Sequence, residues 1–146
     1  MPTLKDALLA PDTRPTVIRD CEQIIQAEVA DKKGVSGLAI KAAFKTVTTF
    51  KKGIIPDVVD ILLDDFVTEL EPFYAEHRAA AGDLRTYLVE HADRIADALL
   101  RITDQRADRS RHATLVKAYK KLRPQGQRQV ADAMPRIAAM LQKHGL

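Results

Sequence analysis

Apolar residues recur at intervals of three and four along this sequence, in segments that prolines and glycines separate. Such spacing places apolar side chains on one face of an α-helix, whereas a half-buried strand alternates apolar and polar residues. The apolar run over 59–70 is also longer than a typical strand. No pair of alternating runs flanks a hairpin turn. The sequence therefore predicts an all-α fold, because a βαβ or barrel fold would need strands and the sequence has no segment with a strand pattern.

These segments predict a single-domain, compact helical bundle of six to eight helices, several of them short and some kinked by proline. We take residues 1–146 as one domain, because domains of about 100–150 residues are the commonest. An apolar content of 46% is too high for a disordered chain. The lone cysteine, Cys21, excludes an intramolecular disulfide. Its position among apolar residues indicates a buried small hydrophobe.

Capping and breaking residues predict the boundaries of the first helices. Thr13 caps the second helix, and Ser36 caps the third, which runs to about Phe50 and stops at Gly53. Gly37 lies in the first turn of that third helix. Because glycine has no side chain, this position predicts a close approach of another part of the chain.

The later boundaries rest mainly on prolines. Pro72 either kinks the fourth helix or begins another. Asp83 caps the next element, which an interruption at 91–93 divides. Residues 124–126, which include a proline and a glycine, end a short helix, and Pro135 kinks the last one.

The formal net charge of +3 conceals an uneven distribution along the chain. Residues 1–31 sum to −3, residues 32–52 to +6 and residues 53–77 to −7. Residues 78–108 sum to −1 and residues 109–146 to +8. The +6 and −7 segments can largely cancel if their helices are neighbours, which leaves the C-terminal +8 as the charge that needs a partner.

Aspartates of the fourth predicted helix lie one turn apart, where like charges are destabilising unless something compensates them. Solvent, a divalent cation and the lysine-rich third helix are three possible compensators, and sequence alone leaves all three open. Carboxylate chemistry at Asp60, Asp64 and Asp65 is a further hypothesis, which would make the protein an enzyme. The predicted charge-pairing faces are Lys41, Lys45 and Lys52 on the third helix and Asp57, Asp60 and Asp64 on the fourth.

The basic C-terminal segment 109–128 is the strongest polar signal, because it contains no acid. It is either a solvated face near the protein's own acidic helix or a surface that binds phosphates, another anion or an anionic membrane. Aromatic residues make up only 5% of the chain, which argues against stacking on single-stranded nucleic acid. The predicted anion contacts are Arg111, Lys117, Lys120, Lys121, Arg123 and Arg128.

Signatures of metal and catalytic sites are missing from the sequence. There is no H-E-x-x-H, C-x-x-C or Walker loop. Glu76–His77 and Glu90–His91 are adjacent pairs, which point in different directions on a helix. We therefore predict no catalytic residue, no metal site and no cofactor. No apolar stretch approaches the ~20 residues that span a bilayer, and residues 1–10 do not have the pattern of a signal peptide.

Four blocks of the sequence carry a resemblance to known proteins: EVADKKGVSGLAIKAAF, IIPDVVDILLDDFVTELEPFY, IADALLRITDQRADRS and VKAYKKLRPQGQRQVADAMPRIAAML. Together they cover most of the chain and resemble a small uncharacterised family of actinobacterial proteins, a domain of unknown function that is expected to be helical. The resemblance implies a bacterial, cytoplasmic setting. It supplies no catalytic or binding residues.

These observations predict a non-enzymatic, soluble, cytoplasmic module that binds a protein partner or a second copy of itself as a homodimer. The basis is the missing catalytic constellation together with two oppositely charged faces. The alternative prediction is binding of nucleic acid or another polyanion through segment 109–128.

Overall fold

A computed structural model describes residues 3–146, which form eight α-helices and no strand. This confirms the predicted all-α bundle, and helices of five and seven residues confirm that some are short. Met1 and Pro2 lie outside the description. The helices are α1 (Leu4–Leu8), α2 (Arg14–Asp31), α3 (Gly34–Phe50), α4 (Ile54–Ala80), α5 (Leu84–Glu90), α6 (Ala92–Arg109), α7 (Ala113–Asp132) and α8 (Met134–Lys143).

Several predicted boundaries are confirmed. Thr13 directly precedes α2, although its side chain makes no capping hydrogen bond. Asp83 caps α5 by accepting a hydrogen bond from the backbone N–H of Thr86. α3 ends at Phe50, and His91 separates α5 from α6 as the interrupted pattern predicted.

Other predicted boundaries are wrong. Ser36 does not cap α3, because that helix already begins at Gly34, whose φ of +75° turns the chain after α2. Pro72 does not begin a new helix, since it lies inside an α4 of 27 residues, and the alternative that it kinks α4 stays a prediction. Residues 124–126 lie inside α7, where Gly126 packs against Leu100 of α6 instead of ending the helix. Pro135 occupies the first turn of α8, where its missing N–H costs no hydrogen bond.

The predicted close approach at Gly37 is confirmed. A Cβ built on this residue would lie 2.7 Å from the backbone carbonyl carbon of Lys32. That distance is too short for any side chain, so the tight turn from α2 into α3 requires glycine here.

The main hydrophobic core joins six of the eight helices. Its buried residues come from α1, α2, α4, α5, α6 and α8, and include Leu4, Leu88, Ile95, Met134 and Leu141. Among the described residues, α3 and α7 contribute none of the buried members of this cluster. These two basic helices pack against each other instead, and α7 also packs along α6. Both therefore lie at the periphery of the bundle.

A polar contact ties the last helix to α2. The buried carboxylate of Asp20 accepts a hydrogen bond of 2.8 Å from Lys143 and contacts Nε2 of His144 at 2.7 Å. Burial opposes ionisation of Asp20, but these two contacts outweigh it and hold the pKa of the carboxyl below its usual range. Its neighbour Cys21, predicted to be buried, is partly buried and packs against the hydrophobic core, and desolvation raises the pKa of its thiol to about 11.

Candidate anion-binding groove

An open groove of about 560 Å³ runs along the first half of α7. The short connection from α6, residues 110–112, forms one end of it. Ala113 and Val116 supply apolar surface within the groove, and the remaining lining is polar or cationic. We call this depression the basic groove, and it is lined by Ser110, Arg111, Ala113, Val116, Lys117, Lys120 and Lys121.

Four of the six predicted anion contacts meet in the basic groove. Arg111, Lys117, Lys120 and Lys121 all line it, and all four side chains are exposed. Within the part of the chain that the structure describes, none of them forms an ion pair. Spacings of three and four residues place the three lysines on one side of α7, so helical geometry alone brings them together.

Arg128 extends the same face beyond the groove. It lies eleven residues after Lys117, close to three full helical turns, and its side chain is exposed. The two residues are therefore separated by about 16 Å along the helix axis. We call Lys117, Lys121 and Arg128 the basic stripe of α7.

Arg123, the sixth predicted contact, is held by α6 instead. Its Nε donates a hydrogen bond of 2.8 Å to Oδ1 of Asp104, and the hydroxyl of Tyr119 donates to the same oxygen. The hydroxyl groups of Thr103 and Tyr119 are 2.6 Å apart. The hydrogen bond from Arg123 is the main reason why the pKa of Asp104 lies below its usual range. Burial and the bond to Asp104 raise the pKa of Tyr119 to about 12, so the phenol keeps its proton at neutral pH.

The aspartates of α4 form ion pairs with arginines of other helices, and the sequence analysis did not predict these pairs. Arg14 of α2 contacts Oδ1 of Asp60 at 3.0 Å and Oδ1 of Asp64 at 3.1 Å, so one guanidinium compensates two carboxylates one turn apart. Arg106 of α6 contacts Asp65 at 3.2 Å. Arg14 lies 46 residues before Asp60, and no local pattern signals a contact over that distance.

The expected pairing of α3 lysines with α4 aspartates inside one chain is not what the structure shows. Lys41, Lys45 and Lys52 are exposed and take part in no ion pair with another described residue. Asp57 pairs with Lys51 at 3.0 Å, at the turn between the two helices. The reason is that Arg14 and Arg106, on α2 and α6, reach the aspartates that α3 was expected to neutralise.

Neither a metal centre nor a membrane span emerges from the described residues. No group of three or more His, Cys, Asp or Glu side chains among residues 3–146 has the geometry to hold a metal ion. None of the helices in this range combines the length and the apolar character needed to cross a bilayer.

Fold and surface together define an all-α bundle with a basic groove on a peripheral helix. The chain belongs to a family of unknown function, DUF6918, which matches residues 4–145. No curated protein and no solved structure shows significant similarity to this chain.

Proposed function

We propose that this protein is a non-enzymatic protein-interaction module whose basic groove holds an acidic segment of a partner protein. The observation that carries the proposal is the set of four exposed cations, none with an ion pair in the described chain, around apolar surface from Ala113 and Val116. The bacterial, cytoplasmic setting that the family resemblance implies is part of the same proposal.

The composition of the groove favours a peptide as its occupant. Protein interfaces combine apolar surface at the centre with polar groups at the rim, and the basic groove has both. No aromatic side chain is among its described lining residues, whereas sites for unpaired bases are built on aromatic rings. The nearby His112 ring packs against Phe50, with ring centroids 5.7 Å apart in an edge-to-face arrangement.

The surroundings of the residues that could carry catalysis support a non-enzymatic role. Asp60, Asp64 and Asp65 are engaged by arginines and do not line the basic groove. The raised pKa of Cys21 leaves little of the thiolate form that a nucleophilic cysteine needs.

The test is binding of a fluorescein-labelled synthetic peptide with Glu and Leu at helical spacing, followed by fluorescence anisotropy. We expect Lys117→Ala with Lys121→Ala to weaken binding roughly tenfold, because each removed cation takes away an electrostatic contact. The matched control is Lys5→Ala with Lys33→Ala, which removes the same charge from exposed positions outside the groove. Equal losses in both double variants would show that only net charge matters and would refute the groove.

Duplex nucleic acid is the second candidate, and the basic stripe is the observation that favours it. Its three cations extend for about 16 Å along one exposed helix face, which suits a row of backbone phosphates. Arg128→Ala should then weaken binding to a labelled DNA duplex and reduce its salt dependence, while leaving binding of the acidic peptide unchanged. The absence of any shift of the duplex at about 50 mM salt would exclude this candidate.

A further inference from the structure

The outward side of α3 is unusually apolar for an exposed helix. Val35 is 87% exposed and Leu38 is 69% exposed, the highest values among the large apolar side chains of the described residues. Ala42, seven residues after Val35, lies on the same side and is also exposed. The opposite side of α3 buries Ile40 and Ala43, so apolar side chains lie on both the covered and the exposed side of the helix. An exposed apolar surface that polar residues border commonly marks an interaction site.

Lysines accompany this apolar surface. Lys41 lies three residues after Leu38, and Lys45 lies three residues after Ala42, so both border the exposed apolar side chains. Neither is paired within the described chain. We call this surface the α3 face, and it consists of Val35, Leu38, Lys41, Ala42 and Lys45.

A second exposed apolar surface, with the opposite charge, lies on α4. Ile61 is 55% exposed and Val58 is 37% exposed. Asp57 and Asp64 lie four residues before and three residues after Ile61, on the same side of the helix. Their side chains are 55% and 63% exposed in spite of their ion pairs, so oxygen lone pairs stay open to another cation. We call Asp57, Val58, Ile61 and Asp64 the α4 face.

We propose that the protein forms a two-fold symmetric homodimer in which the α3 face of each protomer packs on the α4 face of its partner. Contact of two α3 faces would oppose lysines with lysines, and contact of two α4 faces would oppose aspartates with aspartates. Only the crossed arrangement brings apolar side chains together and pairs opposite charges. A two-fold axis makes that contact twice, since each protomer carries both faces on consecutive helices joined by three residues.

This dimer does not depend on the proposed role of the basic groove, because the two surfaces share no residue. The groove variant with Lys117→Ala and Lys121→Ala should dimerise as the wild type does. Failure of either proposal is therefore separable from failure of the other.

Charge reversal tests the crossed arrangement. One variant carries Lys41→Glu with Lys45→Glu, and the other carries Asp57→Lys with Asp64→Lys. Sedimentation velocity should show that each variant alone dimerises at least roughly tenfold more weakly than the wild type, since like charges then meet at both contacts. Mixing the two variants should restore a dimer, because every contact in the mixed pair again joins opposite charges. Circular dichroism melts of each variant check that the fold is retained.

A crosslinking experiment provides a second measurement that charge reversal cannot distort. Leu38→Cys protein mixed with Ile61→Cys protein should yield an oxidised, covalent mixed dimer, whereas Leu38→Cys alone should yield little. Efficient crosslinking of Leu38→Cys alone would place two α3 faces together and overturn the proposal. A wild-type monomer at micromolar concentration would overturn it as well. If that monomer sediments with vesicles of anionic phospholipid, the α3 face is a membrane-binding surface instead.

Discussion

Asp104 distinguishes the cation of α7 that is held within the fold, Arg123, from the exposed cations that line the basic groove. Its carboxylate accepts hydrogen bonds from Tyr119 and Arg123, so it fixes two side chains of α7 to α6. Lys120 and Lys121 stand between these two residues in the sequence but point into the groove. Sequence alone assigns Arg123 to the same basic set, because its partner lies 19 residues upstream on another helix. Spacing within α7 predicted the groove lysines, but only the packing of α6 on α7 separates Arg123 from them.

Asp104→Asn should lower the free energy of unfolding by about 1 kcal/mol at neutral pH, since the ion pair is more than a third exposed and water screens it. The folded state holds the pKa of Asp104 below its ordinary value of 3.8. Its contribution to stability is therefore complete above that value and is lost as the pH falls through the lower, folded-state pKa. Urea unfolding of wild type and variant should show a difference that is constant from about pH 7 to about pH 5 and shrinks below about pH 4.

The control for this comparison is Asp108→Asn, an exposed residue of the same helix that makes no ion pair in the described chain. Its effect on unfolding should be small at every pH. A difference for Asp104→Asn that stays constant across the range would mean that the charged hydrogen bonds are not its source.

At the scale of helices, the sequence predicted correctly those helix ends that a neighbouring side chain fixes by itself. Asp83 caps α5 with its own side chain, and no tertiary contact is needed for that. Pro124 does not end its helix and Pro72 does not begin a new one, because both lie inside long helices that neighbouring helices support. Leu70 and Tyr74 are buried on either side of Pro72, so packing stabilises α4 across the hydrogen bond that proline removes.

Two helical glycines with different surroundings test this argument. Gly37→Ala should destabilise the protein by about 1–3 kcal/mol, because the new Cβ would meet the Lys32 backbone at 2.7 Å. Gly126→Ala should change stability by less than about 1 kcal/mol, since its nearest contact is the movable Leu100 side chain at 3.3 Å and alanine favours helix. Urea midpoints measure both variants. A Gly37→Ala protein as stable as the wild type would show that helix propensity outweighs the close approach.

For the whole molecule, the charge blocks of the sequence indicated where exposed cations gather, but they did not indicate which cations neutralise most of the acidic helix. Within the acidic block, Asp60, Asp64 and Asp65 pair with Arg14 and Arg106, neither of which belongs to the +6 segment, whereas Asp57 pairs with Lys51 of that segment. Arginines of α2 and α6, and not the lysines of α3, therefore neutralise Asp60, Asp64 and Asp65, and the lysines of α3 stay exposed. The C-terminal block keeps four exposed cations in one groove, as its lack of acids suggested. Helical periodicity is visible in one sequence, whereas contacts between distant helices are not.

The core also has a consequence for how the chain folds during synthesis. Leu4 and Leu8 of the first helix share one buried cluster with Met134 and Leu141 of the last. Translation releases α1 and α2 before α4, on which both mainly pack, so α4 can cover much of their apolar surface while the part of the core that α8 completes stays uncovered. By contrast, α6 and α7 are neighbours in sequence and can pair as soon as both have left the ribosome. Until α8 appears, the nascent chain therefore keeps the core surface that Met134 and Leu141 later cover open to aggregation and to capture by chaperones.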